Sequence, residues 1–155
     1  FTPMVVHLSD LPPKEIAEAG FDGEVVHPLQ RDHNCLGGPL VASGRTHVKG
    51  LGVHSRSRVV FEAPAGATRF WTRVALDDSA ALLPLRPHAS AQVVVDGTVV
   101  FRVDDLVPGQ VFDSGRLPVR PGALVALEVD FGRGRELGDR VDWLTPVFLL
   151  GERGP

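Results

Sequence analysis

The chain has no tyrosine, a single cysteine and a single methionine, and its aromatic content is only 6% of 155 residues. So few rings leave no material for a broad aromatic stacking surface. The one thiol, Cys35, cannot close an intramolecular disulfide, and no CxxC pair or Cys/His metal spacing surrounds it. It reads as a small buried apolar residue. No apolar run approaches the roughly 20 residues that cross a bilayer as a helix, and no charged-then-apolar leader opens the chain. The formal net charge is -3 with acids and bases interspersed, so the basic field that dominates phosphate-backbone binding is missing. Neither a membrane nor a nucleic acid is expected as a partner. None of His7, His27, His33, His47 and His88 stands in an i, i+4 or His-x-His arrangement of the kind zinc sites use. A nucleophile elbow, a phosphate-cradling glycine loop and a metalloprotease helix motif are absent too.

What is present is punctuation and short apolar runs. Seventeen glycines and 13 prolines separate Met4–Leu8, Val59–Glu62, Arg69–Leu76, Gln92–Val95, Val99–Val103, Leu124–Phe131 and Leu144–Leu150, each rich in β-branched or aromatic residues. In "AQVVVDGTVVF" the Asp96-Gly97 pair supplies the positive φ angles of a tight hairpin turn. Only "PPKEIAEAG", Pro12–Gly20, carries helix signals, with Pro first and Gly last. Asp104-Asp105 reads as solvated loop, and the tail "GERGP" as frayed. With no repeat or internal linker, the expectation is one all-β domain over 1–155, a β-sandwich with at most one or two short helices. The chain opens at Phe1 rather than Met, as a domain cut from a larger protein would.

The segment "THVKGLGVHSRSRVVF" raises a separate question. Its alternation sends Val48, Leu51, Val53, Val59 and Phe61 inward and leaves Lys49, His54, Arg56 and Arg58 at polar positions. Gly50 and Gly52 interrupt the pattern, which marks either a bulge or a place where another backbone or a ligand approaches closely.

Five pieces in order carry a family resemblance: "GGPL", "KGLGVH", the Asp77-Asp78 pair after "FWTRVAL", the Asp-Gly hairpin, and Asp142-Trp143 before the last strand. Together they resemble the NPCBM family over about Asp32 to Leu149. The resemblance implies a jelly-roll β-sandwich of the galactose-binding-domain-like type and a non-catalytic carbohydrate-binding module. It further implies galactose-type ligands, mono- or oligosaccharide, attachment to a secreted or cell-envelope glycoside hydrolase, a monomeric domain in a multidomain chain, and a structural calcium in some members. Carried onto this sequence, the ligand-binding positions are Lys49, His54, Asp77, Asp78, Asp142 and Trp143. The chain departs from the family pattern at Arg140, where members commonly carry histidine, and in the basic "GRGRELGD" loop, where members are acidic. Both departures bear on the ligand and on any calcium.

Each candidate has a structural alternative. Trp143 beside Asp142 offers a ring face and a carboxylate, the two kinds of group that hold a sugar, or its indole packs in the core. Trp71 reads as a core or sheet-face residue. His54 donates to a sugar hydroxyl or ties down a loop backbone. Asp77 and Asp78 bind calcium or sugar, or satisfy turn amides. Arg133 and Arg135 could clamp an anionic sugar. The expected arrangement is a small pocket for one or two sugar units at one end of the sandwich, gathered there because Gly50 and Gly52 let the strand approach its neighbours. Two other readings stand beside it: a small glycosidase using two carboxylates, and a structural or interaction sandwich whose sugar site has drifted.

Overall fold

A computed structural model describes residues 4–18, 28–82, 89–131 and 140–151. His27, His88, Arg133, Arg135 and the end of the tail lie outside the described residues. In chain order the strands are β1 Met4–His7, β2 Glu15–Glu18, β3 Gln30–Arg31, β4 Leu40–Ala42, β5 Arg45–His47, β6 Gly50–His54 and β7 Ser57–Glu62. They continue with β8 Ala67–Leu76, β9 Ala89–Val95, β10 Thr98–Leu106, β11 Val111–Asp113, β12 Leu117–Pro118, β13 Leu124–Phe131 and β14 Arg140–Leu150. Two short 3-10 turns, Leu8–Asp10 and Asp78–Leu82, are the helical elements among the described residues.

The strands form an antiparallel sandwich, the all-β architecture that the sequence predicts and, as a jelly roll, that the family resemblance implies. One sheet has seven strands along β11-β8-β14-β6-β3, with β1 on β14 and β12 on β8. The other has five, in the order β10-β9-β13-β7-β2. Period-two alternation sends Leu51, Val53, Phe70, Val74, Trp143 and Phe148 of the first sheet against Val59, Phe61, Val93, Val125 and Leu127 of the second. The Phe70 and Phe148 rings pack with centroids 5.6 Å apart.

β14 is the spine. Its first half pairs with β6 and its second half with β1. The change of partner falls at Thr145-Pro146, where the register with β8 shifts between Leu144 and Val147 and Thr145 adopts φ 48°. A proline has no N–H to give a ladder, so a bulge is where a central strand can hold one.

The β9–β10 hairpin turns at Asp96 (φ 47°) and Gly97 (φ 84°), as the sequence predicts. Three expectations are corrected. The described part of the Pro12–Gly20 segment, Pro12–Glu18, is not helical: Glu15–Glu18 is a strand hydrogen-bonded to β7. An isolated helix of one or two turns cannot repay its nucleation cost, whereas an open sheet edge offers backbone partners at once. Val48 is 82% exposed rather than inward-facing, because it sits in the bend before β6 and the strand alternation begins only at Gly50. Asp104 and Asp105 belong to β10, exposed at the sheet edge across an irregularity in its pairing with β9.

The β4–β5 hairpin lies over the outer face of the seven-stranded sheet. There Leu40 and Ala42 bury Ala75 and Leu144 in a second, smaller apolar cluster. This cap shapes the site.

Candidate functional site

Along β6 and β14 the outward positions are Gly50, Gly52 and His54 on one strand, and Arg140, Asp142 and Leu144 on the other, with Arg140 opposite His54 and Asp142 opposite Gly52. The glycines serve close approach, since β6 and β14 stay in continuous register with no bulge. A Cβ at Gly52 would collide with the His33 carbonyl and the Asn34 backbone; one at Gly50 would meet the Trp143 carbonyl at 2.6 Å and Leu40 at 2.8 Å. The 33–42 segment therefore rests directly on the sheet backbone.

Beneath that segment lies a polar cluster. Asp142 has no exposed surface and Asp77 is 1% exposed. Asp77 accepts hydrogen bonds from the Val41 amide (3.1 Å), Asn34 Nδ2 (3.2 Å) and the Ser79 amide (3.0 Å). Neither oxygen of Asp142 finds an N–H donor among the described residues. Burial first, then contact with Asp77, pushes the Asp142 carboxyl far above the usual carboxylate range. Burial also acts to raise Asp77, but hydrogen bonds from the Asp142 carboxyl and from amides outweigh it and hold Asp77 low. Two ionised carboxylates buried side by side repel, so the pair holds a proton, and the opposite directions of the two shifts put it on Asp142. Burial, with further contributions from both aspartates, pushes the neighbouring Cys35 thiol up to about 12. It is inert at neutral pH.

Asp78 receives the Ser43 amide on Oδ1 (2.9 Å) and the Gly44 amide on Oδ2 (2.8 Å), pinning the tip of the β4–β5 hairpin. Of the roles open to the Asp77-Asp78 pair, the structure supports the satisfaction of loop amides. Their oxygens face five N–H donors, which is not a cation cage, since calcium takes six to eight oxygens. Among the described residues no cluster of three or more His, Cys, Asp or Glu side chains fits a metal. Asp77 and Asp78 are thus taken up by loop amides, and the "GRGRELGD" loop, on which the calcium expectation also bears, lies outside the described residues.

Lys49 lies at the other end of β6 from His54, roughly 17 Å away along the strand. Its ammonium bridges Asp10 (2.7 Å) and Asp32 (3.0 Å), and Asp32 also accepts the Gly50 amide. Trp143 has no exposed surface and points inward among the core side chains. It thus lies on the opposite face of the sheet from His54 and cannot offer its ring to a sugar. Trp71, partly exposed on the outer face, donates from Nε1 to Asp113 (2.8 Å) under the Arg73 guanidinium.

His54 and Arg140 remain together at the sheet end. His54 is partly buried and donates from Nδ1 to the Ser55 carbonyl (2.9 Å), and Arg140 Nη1 donates to the Ser79 carbonyl (3.3 Å). Asp78, also partly exposed, sits one residue before Ser79. The six-residue hollow is thereby corrected to a smaller rim. His54, Arg140 and the Asp77–Ser79 corner come together there, while Lys49 and Trp143 are elsewhere.

Sequence reasoning passed over Asn34, the hub of the capping loop. Its Oδ1 accepts the Leu36 and Gly38 amides, and its Nδ2 donates to the Pro39 carbonyl and to Asp77. An Asn four residues before Gly38 was the available signal for a side-chain-closed turn.

No curated protein sequence matches the chain. Among solved structures, the second CBM51 with INT domains of Clostridium perfringens ZmpB, in complex with GlcNAc, is 23% identical at TM-score 0.80, covering 95% of this chain and 32% of that one. The CBM51 of Clostridium perfringens GH95, in complex with methyl-galactose, is 20% identical at TM-score 0.79, covering 94% and 99%. A ZmpB structure joining an M60 catalytic domain to two CBM51 domains is 21% identical at TM-score 0.73, covering 94% and 15%. The chain spans about a third of the first of these structures and nearly all of the second. At these identities the likeness establishes the shared sandwich fold. The sequence profile of the NPCBM/NEW2 domain matches residues 4–149, and the chain belongs to that family.

Proposed function

We propose that this domain is a non-catalytic carbohydrate-binding module that holds a terminal galactose-type sugar at the His54–Arg140 rim. In this reading it serves as an accessory to an attached catalytic domain, a glycoside hydrolase above all, outside the cell or in its envelope. The observation that carries the reading is the cross-strand pair itself. An imidazole and a guanidinium stand side by side at a sheet end, each tied to a backbone carbonyl. Such groups hydrogen-bond vicinal hydroxyls with little ordering cost. Similarity to CBM51 domains solved with methyl-galactose and GlcNAc supports the ligand class.

Catalysis is disfavoured by what the carboxylates are doing. A glycosidase needs two carboxyl groups roughly 5 to 9 Å apart across an open cleft, whereas Asp77 and Asp142 touch each other in the interior. One observation favours a second reading, an interaction sandwich without a sugar site: Lys49, Asp77, Asp142 and Trp143 are all taken up by the fold.

Titration of the isotope-labelled domain with methyl-galactose and GlcNAc, followed by amide NMR, separates the two. Millimolar binding with shifts at His54, Arg140 and Ser79 is expected, because one small ring yields only a few kcal/mol after association entropy. A flat response to both sugars supports the interaction sandwich instead.

A further inference from the structure

The outer face of the five-stranded sheet carries a groove of about 280 Å³ lined by Arg56, Arg58, Gln92, Arg102, Glu128 and Asp130. That volume stands at the lower edge of small-ligand sites, which run from about 300 Å³ upward. The groove lies on the other sheet from His54, and the sugar-binding reading above does not use it.

Its construction is regular. Arg58, Glu128, Gln92 and Arg102 stand directly opposite one another on β7, β13, β9 and β10. Three strand spacings give the row a length of about 14 Å. Each member holds the next. Arg58 Nε donates to Glu128 Oε2 (3.0 Å), Gln92 Nε2 donates to Glu128 Oε1 (2.6 Å), and Arg102 Nη1 donates to Gln92 Oε1 (3.2 Å). The ends are anchored as well, Arg58 Nη1 on Glu15 (2.9 Å) and Arg102 Nε on Asp104 (2.6 Å). A second outward row, Arg56, Asp130 and Ser90, runs parallel to it, with Arg56 Nε on Asp130 (3.2 Å). Between the rows, Ser57, Ala91 and Val129 are buried, so the floor is backbone and no large side chain fills it.

We propose that this groove is a second binding site, for a neutral, hydroxyl-rich oligosaccharide lying across the strands. Glu128 and Asp130 stand within the rows and repel an anion, while three arginines repel a cation. A hydroxyl both donates and accepts, so it finds a partner at every step of a row that reads guanidinium, carboxylate, amide, guanidinium. Because neighbours already orient these side chains, little rotamer entropy remains to be lost on binding. With no aromatic ring in the groove, the affinity is carried by hydrogen bonds and falls in the millimolar range. The length of the rows selects a chain of sugar units over a single ring.

The test is amide NMR on the full 155-residue domain, titrated with neutral galacto-, gluco- and N-acetyllactosamine tri- to hexasaccharides and, in parallel, with oligouronates. Saturable shifts at Ser90–Gln92, Arg102 and Glu128 with a neutral oligosaccharide are expected. The Gln92→Ala, Arg102→Ala double variant should weaken them by about tenfold, removing two or more polar contacts. Its denaturation midpoint should stay within error, since exposed ion pairs contribute little to folding. The His54→Ala variant should leave the groove shifts intact, so failure at the rim and failure here are distinguishable. No shift in these strands with any neutral oligosaccharide overturns the proposal. So does binding of the oligouronates alone, or equal binding by the double variant.

Discussion

Asp142 and Asp77 lie together inside the protein with their carboxyls driven apart, Asp142 far up and so holding its proton and Asp77 low, beneath a loop that offers amides to Asp77 and none of the described donors to Asp142. The folded pair keeps that proton at neutral pH, while in the unfolded chain both carboxyls ionise near the ordinary Asp value of about 3.9. Unfolding therefore releases a proton above that value, and stability falls as pH rises, by up to about 1.4 kcal/mol per unit. Asp77, held low, works in the opposite sense: its contribution is present above the unfolded value and lost only in stronger acid. Asp142→Asn mimics the protonated acid and can still donate to Asp77. Urea midpoints between pH 5 and 8 should decline in the parent and decline less steeply in the variant, with the two most alike in stability at the acidic end. Parallel slopes would rule out a proton held on Asp142.

Gly52→Ala should be among the most damaging single-methyl additions to this chain. The new Cβ would press on the backbone of His33 and Asn34, which cannot rotate away as a side-chain tip can. Overpacking of this kind costs about 1–3 kcal/mol, occasionally more. Hydrogen exchange should quicken at the Gly38, Val41 and Ser43 amides, whose acceptors are Asn34, Asp77 and Asp78. Unchanged exchange at those amides would mean that the capping segment does not rest on β6.

Lys49→Met should leave sugar binding intact. The ammonium is engaged by Asp10 and Asp32, roughly 17 Å along the strand from His54, and Asp10 is well exposed, so the loss of stability should be about 1 kcal/mol or less. Thermal melts and a methyl-galactose titration check both halves. A clear loss of affinity would return Lys49 to the binding machinery.

The strands were legible because burial on one face writes a period of two into the sequence, and Asp96-Gly97 announced its turn because it is one of the few pairs that readily take two positive φ angles. The meaning of Gly50 and Gly52 was half legible: the missing side chains signalled close approach, but what approaches is decided by residues 33–42, distant from β14 in sequence. For the same reason Asp142-Trp143 misled. Two adjacent residues on a strand face opposite sides, so a carboxyl and a ring next to each other in sequence cannot share one pocket here. Neither could sequence tell that Asp77 and Asp78 would be spent on the β4–β5 hairpin, since turn amides and sugar hydroxyls ask for the same carboxylate. Glu15–Glu18 looked helical because its apolar and charged residues suit either state, and the free edge of β7 decided it.

The placement of the two strongest sugar candidates on opposite faces of the sheet yields the sharpest comparison. Trp143→Phe keeps an aromatic ring in the core and removes an indole N–H that has no partner among the described residues. It should cost less than the ~3–5 kcal/mol of truncation to alanine and change methyl-galactose affinity less than twofold. His54→Ala removes a side chain on the outer face of the sheet, outside the core cluster, yet should weaken the same sugar about tenfold, the worth of one well-placed hydrogen bond at its upper range. Calorimetry on the two variants, each first shown to be folded by its urea midpoint, reads the contrast directly. If the tryptophan variant loses the sugar while the histidine variant keeps it, the rim is not the site and the ligand reaches the domain by another face.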